Sequence, residues 1–377
     1  MPATTILPIV RKEFRQIGRD KRILGVLLFI PALMLLMFGY ALNFDVKHTS
    51  IAVYDQDRSA ASRAFAQQFW NSEFFDLKRH VESPREIDRL LDAGEVRVVL
   101  VIPSTFSRDL ARGKEASIQV LVDGANSFTA STVLGYVNGI IQQYSLRVIA
   151  SGFQRVAGGS LTIPIDLQPR VWYNPELRSA KYLVPGLIAF ILMVVAVVST
   201  ALSVVREREL GTMEQMMVSP IQPLEMAIGK TIPYTLISLL ASVSILLVGY
   251  LLFDVEVRGS YLLLFLVTLI FLVGSLGFGL LISTVAETQQ VAFMIATLST
   301  LLPTFILSGF VFPIRNMPAV VQGITYFIPA KYFLVALRGV ILKGAGLSAF
   351  WDQLLMLVAY AVFTVGLSSL RLRKILH

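Results

Sequence analysis

Residues Ile23–Leu42 read ILGVLLFIPALMLLMFGYAL, 20 positions without a charge. A helix of that length crosses the roughly 30 Å hydrocarbon core of a bilayer. Basic residues crowd its leading edge: Arg11, Lys12, Arg15, Arg19, Lys21 and Arg22. The run is longer than a signal-peptide core, and GYALNFDVKH offers no small-x-small cleavage site, so it reads as an uncleaved first span.

Working outward, the same test selects Tyr182–Val205, Thr231–Phe253, Gly259–Ala286 and Thr288–Ile314, all uncharged, and the shorter Gln353–Leu370. Composition agrees. Of 377 residues, 55% are hydrophobic and 15% charged, against about a quarter charged in soluble domains. The expected fold is a polytopic α-helical membrane protein with six transmembrane helices and a small α/β domain between helices 1 and 2.

The net charge of +8 is placed as topology. Cations precede the first span, and Arg371, Arg373 and Lys374 follow the last, so residues 1–22 and 371–377 are expected on the cytoplasmic side. This basic excess fits contact with anionic lipid, not nucleic acid. One group runs against the rule: Arg315, Lys331, Arg338 and Lys343 fall outside, with no acidic residue among them. The segment 315–343 reads as an outer re-entrant or interfacial element, since NMPAVVQGITYFIPA is too short and proline-broken to span. Absence of cysteine excludes disulfides and thiolate chemistry.

Residues 43–178 are of ordinary polar composition and long enough for one extracytoplasmic domain. Strands are predicted at 51–57, 96–103 and 118–124, and helices at 59–70, 84–93 and 104–112. Ser83 and Glu86 have capping-box spacing. A long helix is predicted from Ser127 to about Val156, with Val133, Val137, Ile140, Tyr144 and Val148 on one stripe.

Between the second and third spans lies VVRERELGTMEQMMVSPIQPLEMAIGKT (204–231), a dense charged segment in an apolar chain. Its closing GKT is not a phosphate-binding loop. That motif needs a glycine five positions earlier, where Leu224 stands, and a preceding strand; Lys230 reads instead as a cationic anchor at the bilayer edge. The three histidines, His48, His80 and His377, have no metal-ligand spacing. GSLG (274–277) lacks the context of a nucleophile elbow and reads as close helix packing. No catalytic set emerges, so no enzyme is expected.

The spans lack the ionisable residues of an ion-coupled carrier. They offer Phe190, Phe293, Thr297, Thr300, Thr304, Phe305 and Ser308, an aromatic and hydroxyl surface suited either to a passage for an amphipathic molecule or to packing between helices. In the loop 206–230, Met213, Met216 and Met217 form an apolar stripe that Pro220 and Pro223 break, suited to docking on a partner or to lying among headgroups. Ile6, Val10, Phe14 and Ile17 make the N-terminal segment a basic amphipathic helix.

RERELGTMEQMMVSPIQPLEMAIGK (206–230) resembles the loop after the second span of bacterial ABC-2-type transporter permeases. SGFVFPIRNMPAVVQGITYFIPAKYFLVALRGVILKG (308–344) is similar to their signature near the last span. The resemblance covers essentially the whole chain and points to the longer members, related to multidrug and daunorubicin-type exporters of the bacterial inner membrane. It implies a cytoplasmic ATPase subunit that carries ATP and magnesium, with no cofactor in this chain. It also implies a second permease, as a homodimer or a related chain, and leaves room for a periplasmic partner. Glu207, Glu209, Gly211, Thr212, Glu214 and Pro220 match the coupling motif, with Met217 on its apolar face; Gly211 would bend the chain out of the second span. The rival reading is a membrane sensor or assembly protein whose outer domain binds ligand; it requires a cytoplasmic effector, for which the tail RLRKILH is too short.

Overall fold

The computed structural model describes residues 3–41, 46–157, 172–174, 178–211 and 222–376. The chain divides into two compact units, Phe44–Pro169 and the remainder.

The smaller unit is an α/β sandwich. Its elements are β1 (Thr49–Asp55), α3 (Ala60–Trp70), β2 (Phe75–His80), α4 (Pro84–Asp92), β3 (Val98–Ile102), α5 (Phe106–Ala111), β4 (Gln119–Val122) and α6 (Ser127–Ala157), following α1 and α2 of the larger unit. The sheet order is β2-β1-β3-β4, with β1 parallel to β2 and β3, and β4 antiparallel to β3. Alternation along the strands divides the core between two faces. Ile51, Val53, Val98, Leu100 and Ile102 meet Phe65, Phe69 and Val133 on one side; Ala52 and Val99 meet Ile87 and Leu90 on the other.

Two details depart from the sequence reading. Strand β2 was not foreseen: in FDLKRH only Phe75 is buried and the last three residues are exposed, as on a charged sheet edge. The expected capping box at Ser83 does not form. Glu86 reaches the N–H of Glu82 instead, at 3.3 Å, and Ser83 makes no side-chain cap. At α3, Ser59 caps the helix reciprocally with Ser62.

The larger unit is helical: α1 (Ala3–Arg19), α2 (Lys21–Ala41), α7 (Ser179–Glu209), α8 (Pro223–Phe253), α9 (Tyr261–Ser283), α10 (Gln289–Leu307), α11 (Ala319–Thr325), α12 (Pro329–Lys343) and α13 (Trp351–Leu376). Six are long and apolar enough to cross a membrane, or seven if α11 and α12, bent by 78°, count as one span. Helix α7 is the axis, with 67% of its apolar window buried, whereas only 11% of the α2 window is. Helix α10 stops at Leu307, short of the apolar run's end at Ile314, where Gly309 takes φ +80°. Most of α12 packs inside the bundle through Phe333, Leu337 and Val340.

Small residues set the closest approaches. A Cβ at Gly274 would lie 2.8 Å from the Tyr360 ring, and one at Gly277 would lie 2.8 Å from the Thr364 hydroxyl. Thr364 also donates to the Gly274 carbonyl at 3.0 Å. The GSLG stretch is therefore a helix-packing seam between α9 and α13. Val204, Met226, Leu280 and Leu372 cluster, which brings the C-terminal ends of α7, α9 and α13 to the same end of the bundle as the start of α8.

Candidate functional site

The charged segment after the second span is held from both sides. Helix α7 continues past its apolar run, so Arg206–Glu209 form its last turn and not a loop. Gly211 then takes φ +69°, a left-handed conformation that ends the helix, and its N–H donates to the Arg208 carbonyl at 3.1 Å. On the far side, Gln222 caps α8 in a reciprocal box with Glu225, whose carboxylate accepts from the Gln222 N–H at 3.1 Å.

Behind these two helix ends sits a buried ionic cluster. Lys230 is fully buried. Its Nζ lies 3.0 Å from Glu13 Oε1 and 2.5 Å from Glu207 Oε2. Lys12 pairs with Glu207 as well and stands 3.7 Å from Glu13. The buried Lys230 and the half-exposed Lys12 balance the two buried carboxylates, which is the condition for keeping those carboxylates out of water. The reading of Lys230 as an anchor at the bilayer edge is thereby corrected: its stem runs inward because carboxylates on α1 and α7 meet it there.

Its neighbours explain the rest of GKT. A Cβ at Gly229 would lie 2.8 Å from Ile9 Cγ2, so glycine allows α1 to press against α8. Thr231 turns its hydroxyl onto the Ala227 carbonyl at 2.7 Å. The triplet is a helix-packing and ion-pairing element.

The end of α7 is also tied to α10. Arg208 donates to the Ala286 carbonyl at 3.0 Å. Glu209 accepts the Gln289 N–H at 2.8 Å and its side-chain amide too, placing a carboxylate at a helix N-terminus. Arg206 lies 3.7 Å from Asp20, between α1 and α2. Through these contacts the last turn of α7 touches α1, α8, α10 and the α1–α2 junction.

Of the docking residues read from sequence, Glu207, Glu209 and Gly211 belong to this arrangement, whereas Thr212, Glu214, Met217 and Pro220 lie outside the described residues. Glu207 faces inward, toward Lys230, and leaves little surface for a partner. Sequence reasoning missed Glu13 and Lys12. The available signal was Glu13 itself, the only acidic residue before Asp20 on a basic helix.

Helix α1 also packs differently from the expected face. Its buried stripe is Ile9, Glu13 and Ile17, while Phe14 remains exposed.

Six of the seven proposed path residues gather where α10 packs along α7. Phe190 is buried, 5.9 Å centroid to centroid from Phe305 and 6.5 Å from Phe310. Thr300 donates to the Ala296 carbonyl at 2.6 Å, and Ser308 donates to that of buried Thr304. Thr297 is half-buried. Phe293 points elsewhere, 53% exposed. In this conformation the group is a packed seam: the hydroxyls of Thr300 and Ser308 are turned onto their own helix, and the Thr297 hydroxyl is buried without a hydrogen-bond partner among the described residues.

Of the four cations without acidic partners, Arg338, at the opposite end of α7, and Lys331 find other acceptors. Arg338 donates to the carbonyls of Gly309 at 3.3 Å and Tyr182 at 3.2 Å, and stacks 3.9 Å from the Tyr182 ring. Lys331 lies 3.6 Å from the Tyr326 ring and donates to Thr325 at 3.0 Å.

A family profile described as ABC-2 family transporter protein matches residues 21–370. The chain is 36% identical over 366 residues to the probable multidrug ABC transporter permease YbhS of Escherichia coli K12, covering 96% of this chain and 95% of that one. It is 31% identical over 356 residues to the probable multidrug ABC transporter permease YbhR of the same organism, covering 94% and 95%. It is 30% identical over 368 residues to the inner membrane transport permease YhhJ, also of E. coli K12, covering 96% and 95%. With a match over residues 21–370 and relatives at 30–36% identity along nearly the whole chain, this chain belongs to the ABC-2 family of transporter proteins.

Proposed function

We propose that the chain is the membrane permease of an ATP-driven exporter, moving an amphipathic or hydrophobic compound outward by alternating access. ATP binding and hydrolysis take place on a separate cytoplasmic subunit. Two permeases, identical or related, form the path between them. Both chain ends face the cytoplasm of a bacterial inner membrane, and the α/β unit lies outside.

The observation that carries this reading is the two-sided hold on the 212–221 segment. A partner seated there acts on the last turn of α7 and the first of α8. The Glu13–Lys230–Glu207–Lys12 cluster joins those turns to α1, and Glu209 joins them to α10. A displacement at the loop is thus delivered to four helices, including both walls of the Phe190–Phe305 seam. The stroke can drive export only if the ATPase binds the inward- and outward-open states with different affinity. The compound class follows from the apolar, carboxylate-free seam and from the E. coli relatives, two of which are named as multidrug permeases.

The test is co-purification of the chain with its ATPase from mild detergent, then ATPase turnover in lipid nanodiscs with candidate amphipathic drugs. Wild type should retain the ATPase and respond to at least one drug. Glu214→Arg should insert normally and lose the drug response by about tenfold or more, a buried charge contact contributing over about 1.4 kcal/mol. Normal assembly and stimulation in that variant would refute the coupling assignment.

A further inference from the structure

The coupling role leaves most of the charge on α1 unused. Around its axis α1 has three sectors: Ile9, Glu13 and Ile17 are buried in the bundle, Leu7 and Phe14 are exposed apolar, and Arg11, Arg15 and Arg19 follow one another at intervals of four. Those three arginines and Lys21 are exposed and make no ion pair or hydrogen bond among the described residues. Like charges four apart on a helix repel, so the stripe is destabilising until an anion meets it.

The space for one is present. With Lys12 and Arg206, the four cations line an open cleft of about 1080 Å³, and Asp20 is the one acidic residue on its wall. Asp20 is faced by Arg206 at 3.7 Å, and Lys12 is engaged by Glu207, which leaves four positive charges unanswered. Leu7 and Pro8 give the cleft an apolar lip. Helix α2 leaves it as the barest span in the bundle, with Phe29 76% exposed and Leu33 and Met37 likewise bare.

We propose that this cleft binds one anionic phospholipid. The guanidinium groups of Arg11, Arg15 and Arg19 hold the phosphate, for which their planar forks are suited, and the acyl chains lie along the exposed face of α2. A free phosphate would use the same arginines but gain nothing from α2, so the apolar helix beside the cleft selects the lipid. Because Lys12 on the cleft wall also reaches Glu207, an occupied cleft steadies α1 against α7. The inference needs the chain to cross a bilayer and is independent of what is exported.

The experiment is native mass spectrometry of the full chain in detergent, titrated with phosphatidylglycerol, phosphatidylcholine or inorganic phosphate. Wild type should retain one phosphatidylglycerol about tenfold more tightly than phosphatidylcholine, and Arg11→Gln/Arg15→Gln/Arg19→Gln should weaken it by about tenfold or more. Inorganic phosphate at matched concentration should not displace the lipid. Affinity within about twofold of wild type in the triple variant, or displacement by inorganic phosphate, would overturn the proposal. Melting in phosphatidylcholine nanodiscs reports whether the triple variant is folded. If it is not, single Arg11→Gln and Arg15→Gln, both at exposed positions, should each weaken the lipid about threefold, and an unchanged affinity in both would overturn it equally.

Discussion

The two ends of α7 keep charge out of water by opposite means. At the Glu207 end, ammonium groups meet carboxylates on other helices, with Lys230, Lys12, Glu13 and Glu207 drawn from α8, α1 and α7. At the Tyr182 end, Arg338 meets main-chain carbonyls and an aromatic face, while the carboxylate nearby, the exposed Asp254, pairs with Arg178 and Lys181 and not with Arg338. Side-chain pairs on flexible stems can exchange partners while the helices stay intact. Carbonyl acceptors are fixed by the fold. The difference suits an end that receives a stroke and an end that serves as its pivot.

The contrast breaks or sharpens under substitution. Lys230→Met leaves two buried carboxylates with only Lys12 between them and should cost about 3–5 kcal/mol, read as loss of folded protein in thermal melts in nanodiscs. Adding Glu13→Gln to Lys230→Met should recover part of that loss, because it removes one of the stranded charges; a double variant no better than the single would deny the pairing. Arg338→Met forfeits two charged hydrogen bonds and the stacking on Tyr182, about 2–3 kcal/mol. No second-site charge change should recover it, and a suppressor that restored it by altering an acidic residue would collapse the distinction between the ends. Gly186→Ala tests the stiffness of the pivot. Its Cβ would lie 2.0 Å from the buried Phe310 ring, and overpacking there should cost about 1–3 kcal/mol in the same melts. Wild-type melting would show that the aromatic packing yields.

What could be read from the sequence follows the same line. The spans were legible because hydrocarbon as a solvent demands long uncharged runs, a local property of the chain. The strands containing Val53 and Val99 were legible for a similar reason, their alternation being local. The pairing of Glu13 with Lys230 was not, since it joins residues 217 positions apart and depends on which face of α1 packs inward. Arg338 looked like an exception to the charge rule because carbonyl partners leave no trace in side-chain composition. Phe310, which closes the seam on Phe190, was hidden because α10 stops early at a turn that apolar periodicity does not mark. Glu207 and Glu209 were singled out by likeness of motif; that one points inward and the other to α10 is information only the fold carries.

The smallest expected effect lies in the α/β unit, where charge is held in a third way, by hydroxyls. Burial pushes the Asp57 carboxyl up, but hydrogen bonds from Ser59 and from the side chain and N–H of Ser107 outweigh it and hold the group below the ordinary aspartate range. Ser107 reaches it at 3.0 Å across 50 residues of sequence. A folded-state pKa below the unfolded one means that Asp57 stabilises the fold fully above about pH 4, and that this contribution is lost as pH falls through the lowered value. Hydrogen exchange of residues 55–63 in the full chain, corrected for intrinsic rates, should therefore lose protection as pH falls from about 5 through the lowered value. Asp57→Asn should flatten that response, because the amide does not titrate, while Lys230→Met should leave it intact. A pH response that survives in Asp57→Asn would assign it to groups other than Asp57. Hydroxyl-held charge would then match the ionic end of α7 in being shared among several groups, where the prediction places it on one.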